Sequence, residues 1–207
     1  MSSLPYTPPQ GLPTGQEAQT AAPKLVFSTE PSGVSYVEFT LEWGKTYRIL
    51  FSIDFSGPED ILVTVNGDTS SDYHAMIVST VVYRQLTATG ATATQSAYVA
   101  SASATYWWVV SNSSSVAGNP GSAAGEIIVT PITYGIVPSA SATVTQRPTL
   151  YMEYRGLMQI TPSIQWLVMR NVCLYTFPAA TPPSTYTFRM WWYLPDAVGG
   201  YVRVYEL

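Results

Sequence analysis

Hydrophobic and polar residues alternate through much of the chain, and this period of two constrains the fold more than any other feature. From Val37 to Trp43 hydrophobic residues alternate with Glu and Thr, and the alternation resumes from Tyr47 to Phe55. Successive side chains of a β-strand point to opposite faces, so the pattern predicts strands with one buried face. We interpret the two segments as a hairpin that turns at Gly44-Lys45.

Similar segments extend over most of the remaining chain. They are rich in Val, Thr, Tyr and Trp, which are favoured in strands, and turn signals such as Asn66-Gly67-Asp68 separate them. The stretch 88–105 interleaves alanine with Ser and Thr rather than with long helix formers, which favours strand or extended loop. We therefore predict an all-β fold of roughly nine or ten strands, a two-sheet antiparallel sandwich of the jelly-roll kind.

The start of the chain differs from the rest because it is rich in proline. Proline favours extended, polyproline-like chain over helix or paired strand. We predict an extended N-terminal arm over residues 1–24 and a single β-sandwich domain over residues 25–207. The prolines of the arm are Pro5, Pro8, Pro9, Pro13 and Pro23.

The arm has few large apolar side chains, chiefly Leu4, Tyr6 and Leu12. Fixing a flexible residue costs roughly 1–2 kcal/mol. Three large apolar side chains are therefore too few to anchor the arm on its own domain. We therefore predict that Leu4, Tyr6 and Leu12 contact a different chain. The alternative is an arm that folds back on its own domain.

Charged residues make up only 11% of the chain, against about 25% in soluble domains. A protein that stays soluble alone keeps a charged, mixed surface, so we expect neighbouring copies to cover much of this one. The alternative is a monomer coated with Ser and Thr. The net charge is −4 and no basic run exists, which predicts no specific nucleic-acid binding.

The sequence predicts neither a signal peptide nor a transmembrane segment. The first residues lack the basic and apolar regions of a signal peptide. No apolar stretch approaches the about 18 residues that a membrane span needs.

We find no signature of an active site, and we predict no enzyme, cofactor or metal site. His74 is the single histidine and Cys173 the single cysteine, which leaves no conventional zinc site, and Cys173 is expected in the core. Glu38 and Glu42 share a strand face but lie roughly 13 Å apart, too far for the paired carboxylates of a glycosidase. The acids from Asp54 to Asp72 lack the spacing of a calcium loop.

Two adjacent tryptophan pairs, Trp107-Trp108 and Trp191-Trp192, are candidates for contacts with other molecules. Neighbours in a strand point to opposite faces, so each pair places one ring in the core and one outward. An outward tryptophan suits a subunit contact or stacking on a sugar ring, and burial of both rings within the fold is the third possibility. We predict Trp107 and Trp191 as inter-subunit contacts.

The proline-rich arm, the charge-poor β body, the long Ser, Thr, Ala and Gly loops and the strand Tyr186–Leu194 together resemble single jelly-roll virion structural proteins. The resemblance extends over the whole chain and rests on no diagnostic motif. It implies a structural subunit of a capsid or virion shell, with copies of itself and other shell proteins as partners and the virion as location. The chain lacks the basic N-terminal arm of small RNA virus coat proteins. It is more similar to capsid, penton or spike components of membrane-containing DNA viruses.

Two other functions stay open at this point. One is a carbohydrate- or receptor-binding β-sandwich module of a spike or fibre, which would use the outward tryptophans. The other is the subunit of a filament in an extracellular surface assembly, in which an N-terminal segment pairs with the next copy. Lys24 to Thr29 could serve as that segment, although the prolines argue against a long donated strand.

Overall fold

The computed structural model describes residues 22–56, 60–69, 73–87, 90–104, 106–110, 121–136, 145–160, 165–192 and 197–207. Within these ranges every regular element is a strand, which confirms the all-β prediction. None of the described residues forms a helix that could span a membrane. Most of the predicted arm, including Leu4, Tyr6 and Leu12, lies outside the described residues, and their contacts stay predictions.

Twelve strands in the described ranges form two antiparallel sheets. The eight-stranded sheet has the order β1-β12-β3-β8-β9-β10-β5-β6, and the four-stranded sheet has the order β2-β11-β4-β7. In chain order the strands are β1 Lys24–Thr29, β2 Tyr36–Glu42, β3 Tyr47–Phe55, β4 Ile61–Val65, β5 Tyr73–Thr87, β6 Gly90–Ala104, β7 Trp107–Val110, β8 Gly121–Ile136, β9 Thr145–Ile160, β10 Gln165–Thr176, β11 Thr185–Trp191 and β12 Ala197–Glu206.

Eight of the strands switch between the two sheets along the chain, except from β4 to β7, which share the smaller sheet, and their pairings are nested. β1 pairs with β12, β2 with β11, β3 with β8 and β4 with β7, all antiparallel. This order results when one long antiparallel hairpin of the chain is wound around a common core. The remaining strands form the pairs β5–β6 and β9–β10, which extend the larger sheet beyond β8.

β2 and β3 follow one another in the chain but belong to different sheets, so the predicted hairpin between them is wrong. Gly44 turns the chain with a φ of +87° and leads it across to the opposite sheet. Alternation could not reveal this, because strands of both sheets bury one face against the same core. The turn predicted at Asn66-Gly67 is confirmed by positive φ angles of 54° and 64°.

The core lies between the sheets and consists of alternate, inward-facing hydrophobic residues from both. Rings from opposite sheets meet there. Phe27 of β1 lies 5.1 Å from Phe39 of β2, and Phe55 of β3 lies 5.6 Å from Trp192, the residue after β11. The edge strands β1 and β2 therefore lie at the same side of the sandwich.

Two glycines opposite one another make room for a large ring where β9 joins β8. Gly125 pairs with Gly156, and the side chain of Tyr154 lies against both. A Cβ atom at Gly125 would lie 2.6 Å from Tyr154 Cε2, and one at Gly156 would overlap the Tyr154 hydroxyl and the Ala124 carbonyl oxygen. Tyr154 also stacks on Phe51 of β3 at 5.8 Å. The added strands are thus joined to the rest of the sheet through close packing rather than through backbone pairing alone.

Candidate functional site

A groove of about 330 Å³ lies on the outer face of the four-stranded sheet. Arg189 and Trp191 reach it from β11, because the alternate residues of that strand face the core. Tyr36 reaches it from the start of β2, and Thr64 from β4. The two-residue spacing of Arg189 and Trp191 could have revealed from sequence that they share a face.

Arg189 joins two side chains of β2 across the groove. Its guanidinium lies over the Tyr36 ring, 4.9 Å from the centroid, and its Nε donates a hydrogen bond to Glu38 Oε2 at 2.6 Å. Trp191 meets Tyr106 edge to face, with ring centroids 5.8 Å apart. The groove therefore offers aromatic surface next to an ion pair, a combination that binds ligands with an apolar face and polar groups.

Two side chains of β4 point to the same outer face, and one of them, Thr64, lines the groove. Leu62 and Thr64 point outward, yet they are only 0% and 4% exposed. Their direct cross-strand neighbours on β11 are Trp191 and Arg189, whose longer side chains help to shield them.

Trp107 and Trp191, the two tryptophans predicted to contact another subunit, differ in their exposure. Trp191 is partly exposed at the groove, whereas its neighbour Trp192 is buried and donates from Nε1 to the Val34 carbonyl oxygen at 2.7 Å. The predicted division of this pair is thereby confirmed. Trp107, in contrast, lies in the core with 0% exposure and has no surface to offer to a second subunit. Its sequence neighbours are apolar on both sides, so alternation could not decide which face it takes.

Cys173 is buried in the core, as expected, and burial raises the pKa of its thiol far above the usual value. A buried thiol of this kind is a small hydrophobic group and a poor nucleophile. In the part of the chain that the structure describes, no three His, Cys, Asp or Glu residues come together to form a metal site.

The outer face of the eight-stranded sheet carries a row of paired charges that the sequence did not reveal. Arg155 and Arg170 each donate from Nε to Glu153 Oε1, at 2.8 and 2.7 Å. On the neighbouring strands β3 and β8, Arg48 pairs with Glu126 at 2.8 Å. These partners are brought together by strand register, which sequence patterns do not fix.

Glu153 is the most buried member of this row. Burial by itself raises the pKa of its carboxyl group, but hydrogen bonds from Arg155 and Arg170 outweigh this effect and lower the pKa below its usual value. The Tyr151 hydroxyl donates a further hydrogen bond to Glu153 Oε2 at 3.2 Å. A carboxylate held ionised in this way is unsuited to act as a general acid near neutral pH, so we assign it a structural role.

No protein-family model matches the chain, and comparisons with curated proteins and with solved structures gave no match either. The fold and the surfaces described above therefore carry the functional argument alone.

Proposed function

We propose that the chain is a jelly roll enlarged by two inserted strand pairs, and that it serves as a structural subunit of a viral capsid or virion shell. The observation that carries this proposal is the nested strand order. The orders β1-β12-β3-β8 and β2-β11-β4-β7, with strands that alternate between sheets, are what two facing Greek keys produce. On this view β5–β6 and β9–β10 are insertions that widen one sheet.

Jelly rolls occur in viral capsid proteins, lectins and cupins, so composition must decide among these classes. Only 11% of the residues are charged, and charged side chains on both sheets pair with one another. A chain with so few charged residues favours burial against copies of itself over a monomeric state in solution. Copies of itself and other shell proteins are the proposed partners, and the virion is the proposed location.

Native mass measurement and electron microscopy of the purified full-length chain test the proposal. We expect assemblies with a defined number of subunits, which grow in population as the protein concentration rises. A protein that stays monomeric at the highest concentration reached would contradict the structural role.

The groove favours a second candidate function, a carbohydrate- or receptor-binding module of a spike or fibre. Sugar rings stack their apolar faces on aromatic rings, and their hydroxyl groups bind charged side chains. Trp191 and Tyr36 supply the rings, and the Arg189–Glu38 pair supplies the charges.

A matched pair of variants tests this second candidate. Tyr201, on the other sheet, is also exposed and also lies 4.9 Å from an arginine, Arg203. If the groove binds sugars, Tyr36→Ala should lose glycan binding in an array or titration, while Tyr201→Ala retains it. Equal behaviour of the two variants would exclude the groove as a specific sugar site.

The filament alternative receives less support. The segment considered for donation to a neighbour, Lys24–Thr29, is β1 of the chain's own sheet and pairs with β12. A donated strand would have to leave that position first.

A further inference from the structure

We infer that two copies of this chain pair antiparallel along β1, an inference that rests on the proposed function as an assembling subunit. The contact surface is the β1–β2 side, which we define as β1, residues 33–36 before and at the start of β2, and residues 197–207, which contain β12. These segments lie together, because β1 pairs with β12 and the Gly33 amide donates to the Ala197 carbonyl oxygen at 2.8 Å.

Exposed apolar residues concentrate on the β1–β2 side. Eight large hydrophobic side chains are exposed in the part of the chain whose side chains the structure describes, and all except Leu157 of β9 belong to the segments of this side. Tyr36 and Tyr201 point to the outer faces of their two sheets, and the other five lie nearer to the edge. Scattered single residues of this kind need no explanation, but a cluster marks an interaction surface. The seven are Leu25, Val26, Val34, Tyr36, Val198, Tyr201 and Leu207.

β1 also presents an open edge. It pairs with β12 on one side, and no described strand pairs with its other side. Natural edge strands are protected by charges or bulges, among other devices. β1 has a register shift between Leu25 and Phe27 and a single charged residue, Lys24, yet it exposes Leu25 and Val26 by 52% and 41%. The neighbouring edge strand β2 is better protected, since its outward positions include Glu38 and Glu42.

Charge complementarity favours a second copy as the occupant. A twofold axis at Phe27 would place Lys24 opposite Glu30 of the second copy, and Glu30 opposite Lys24 of the second copy. The same surface then meets itself, as a twofold interface requires. Pro23 and Pro31 flank the segment and lack the backbone N–H that continued pairing needs, so the contact is confined to this register.

The apolar residues around the edge explain how so short a strand could hold a dimer. Seven paired residues alone bury too little surface, because stable interfaces bury about 1,200–2,000 Å². Val34, Val198 and Leu207 are 39%, 59% and 55% exposed next to the paired segment and extend the contact.

Charge reversal tests the register. Lys24→Glu and Glu30→Lys each place like charges opposite one another at both ends of the symmetric contact. Each single variant should therefore weaken dimerisation about tenfold. The double variant restores opposite charges and should return to within about threefold of the parent protein. Dissociation constants from sedimentation or mass photometry of the full-length chain supply the readout, and melting temperatures show that the exposed substitutions leave the fold intact. Additive weakening in the double variant would overturn the register.

A matched hydrophobic pair tests the surface itself. Val26→Lys should abolish the dimer, whereas Leu157→Lys, a change at similar exposure far from β1, should leave it intact. If the parent chain assembles and Val26→Lys assembles equally well, the inference fails while the proposed function stands. If the parent chain stays monomeric, both fail. Should Val26→Lys unfold, the charge-reversal series decides.

Discussion

The broad outer faces of the two sheets and the β1–β2 side use their residues in opposite ways. On the faces, charges are paired within the chain, as in Arg189–Glu38 and the Arg155–Glu153–Arg170 group. On the β1–β2 side, hydrophobic residues such as Leu25 and Val198 stay exposed. The faces thus carry charges that pair within the chain, whereas the exposed hydrophobic side chains of the β1–β2 side would be stabilised by a second copy that covers them. Substitutions on the faces should therefore change folding, and substitutions on the side should change assembly.

The largest expected effect on folding comes from Gly125 and Gly156, the glycine pair on the core-facing side of the eight-stranded sheet. Gly156→Ala places a methyl group against the Tyr154 hydroxyl and the Ala124 carbonyl oxygen, and overpacking of this kind costs about 1–3 kcal/mol. Urea denaturation measures the loss. Gly199→Ala on the β1–β2 side is the control, because a Cβ there meets nothing within 4 Å. Similar losses for both variants would contradict the close packing of Tyr154 against the glycine pair.

A smaller effect is expected at the charge row of the same sheet. Glu153→Ala removes a carboxylate that binds two arginines and a tyrosine, and it should cost about 1–2 kcal/mol after solvent screening of the exposed arginines. Glu126→Ala, which breaks the single, more exposed pair with Arg48, should cost about 0.5 kcal/mol or less. A larger loss of unfolding free energy for Glu126→Ala than for Glu153→Ala would show that burial does not determine how much these ion pairs stabilise the fold.

Acid should weaken the contribution of Glu153. Its pKa is lower in the folded chain than in the unfolded one, so its stabilisation is fully present above about pH 4.3 and disappears as the pH falls through the lowered pKa. The stability difference between the parent chain and Glu153→Gln should therefore shrink between neutral pH and about pH 3. A difference that stays constant or grows on acidification would contradict this sign.

The sequence predicted the strands but not their partners. Alternation located β2 and β3 within a residue or two, yet it assigned them to one hairpin because both bury a single face against the shared core. It divided Trp191 from Trp192 correctly, since polar or charged residues such as Arg189 mark the outer face of β11. It did not find the contacts of Glu153 with Arg170, which depend on the register between β9 and β10. Local periodicity carries no information about such long-range pairing.

The smallest expected effect on folding concerns the N-terminal arm. Deletion of residues 1–22 should leave the melting temperature nearly unchanged, because β1 begins at Lys24. Assembly should weaken, if Leu4, Tyr6 and Leu12 contact another chain as predicted from the sequence. Calorimetry and native mass of the truncated protein measure the two effects separately. Unfolding of the truncated protein, or its unchanged assembly, would rule out the arm as a strap between subunits.

Hydrogen exchange along β1 tests the central claim most directly, because it reports whether a second copy covers this edge. Amides of β1 that point towards β12 should be protected in every state of the protein. Amides that point away from β12 should become protected only as the concentration rises and copies pair, and Val26→Lys should keep them unprotected. If the outward amides exchange rapidly in the assembled protein, or are equally protected in the dilute monomer, the β1–β2 side is not the surface through which this chain assembles.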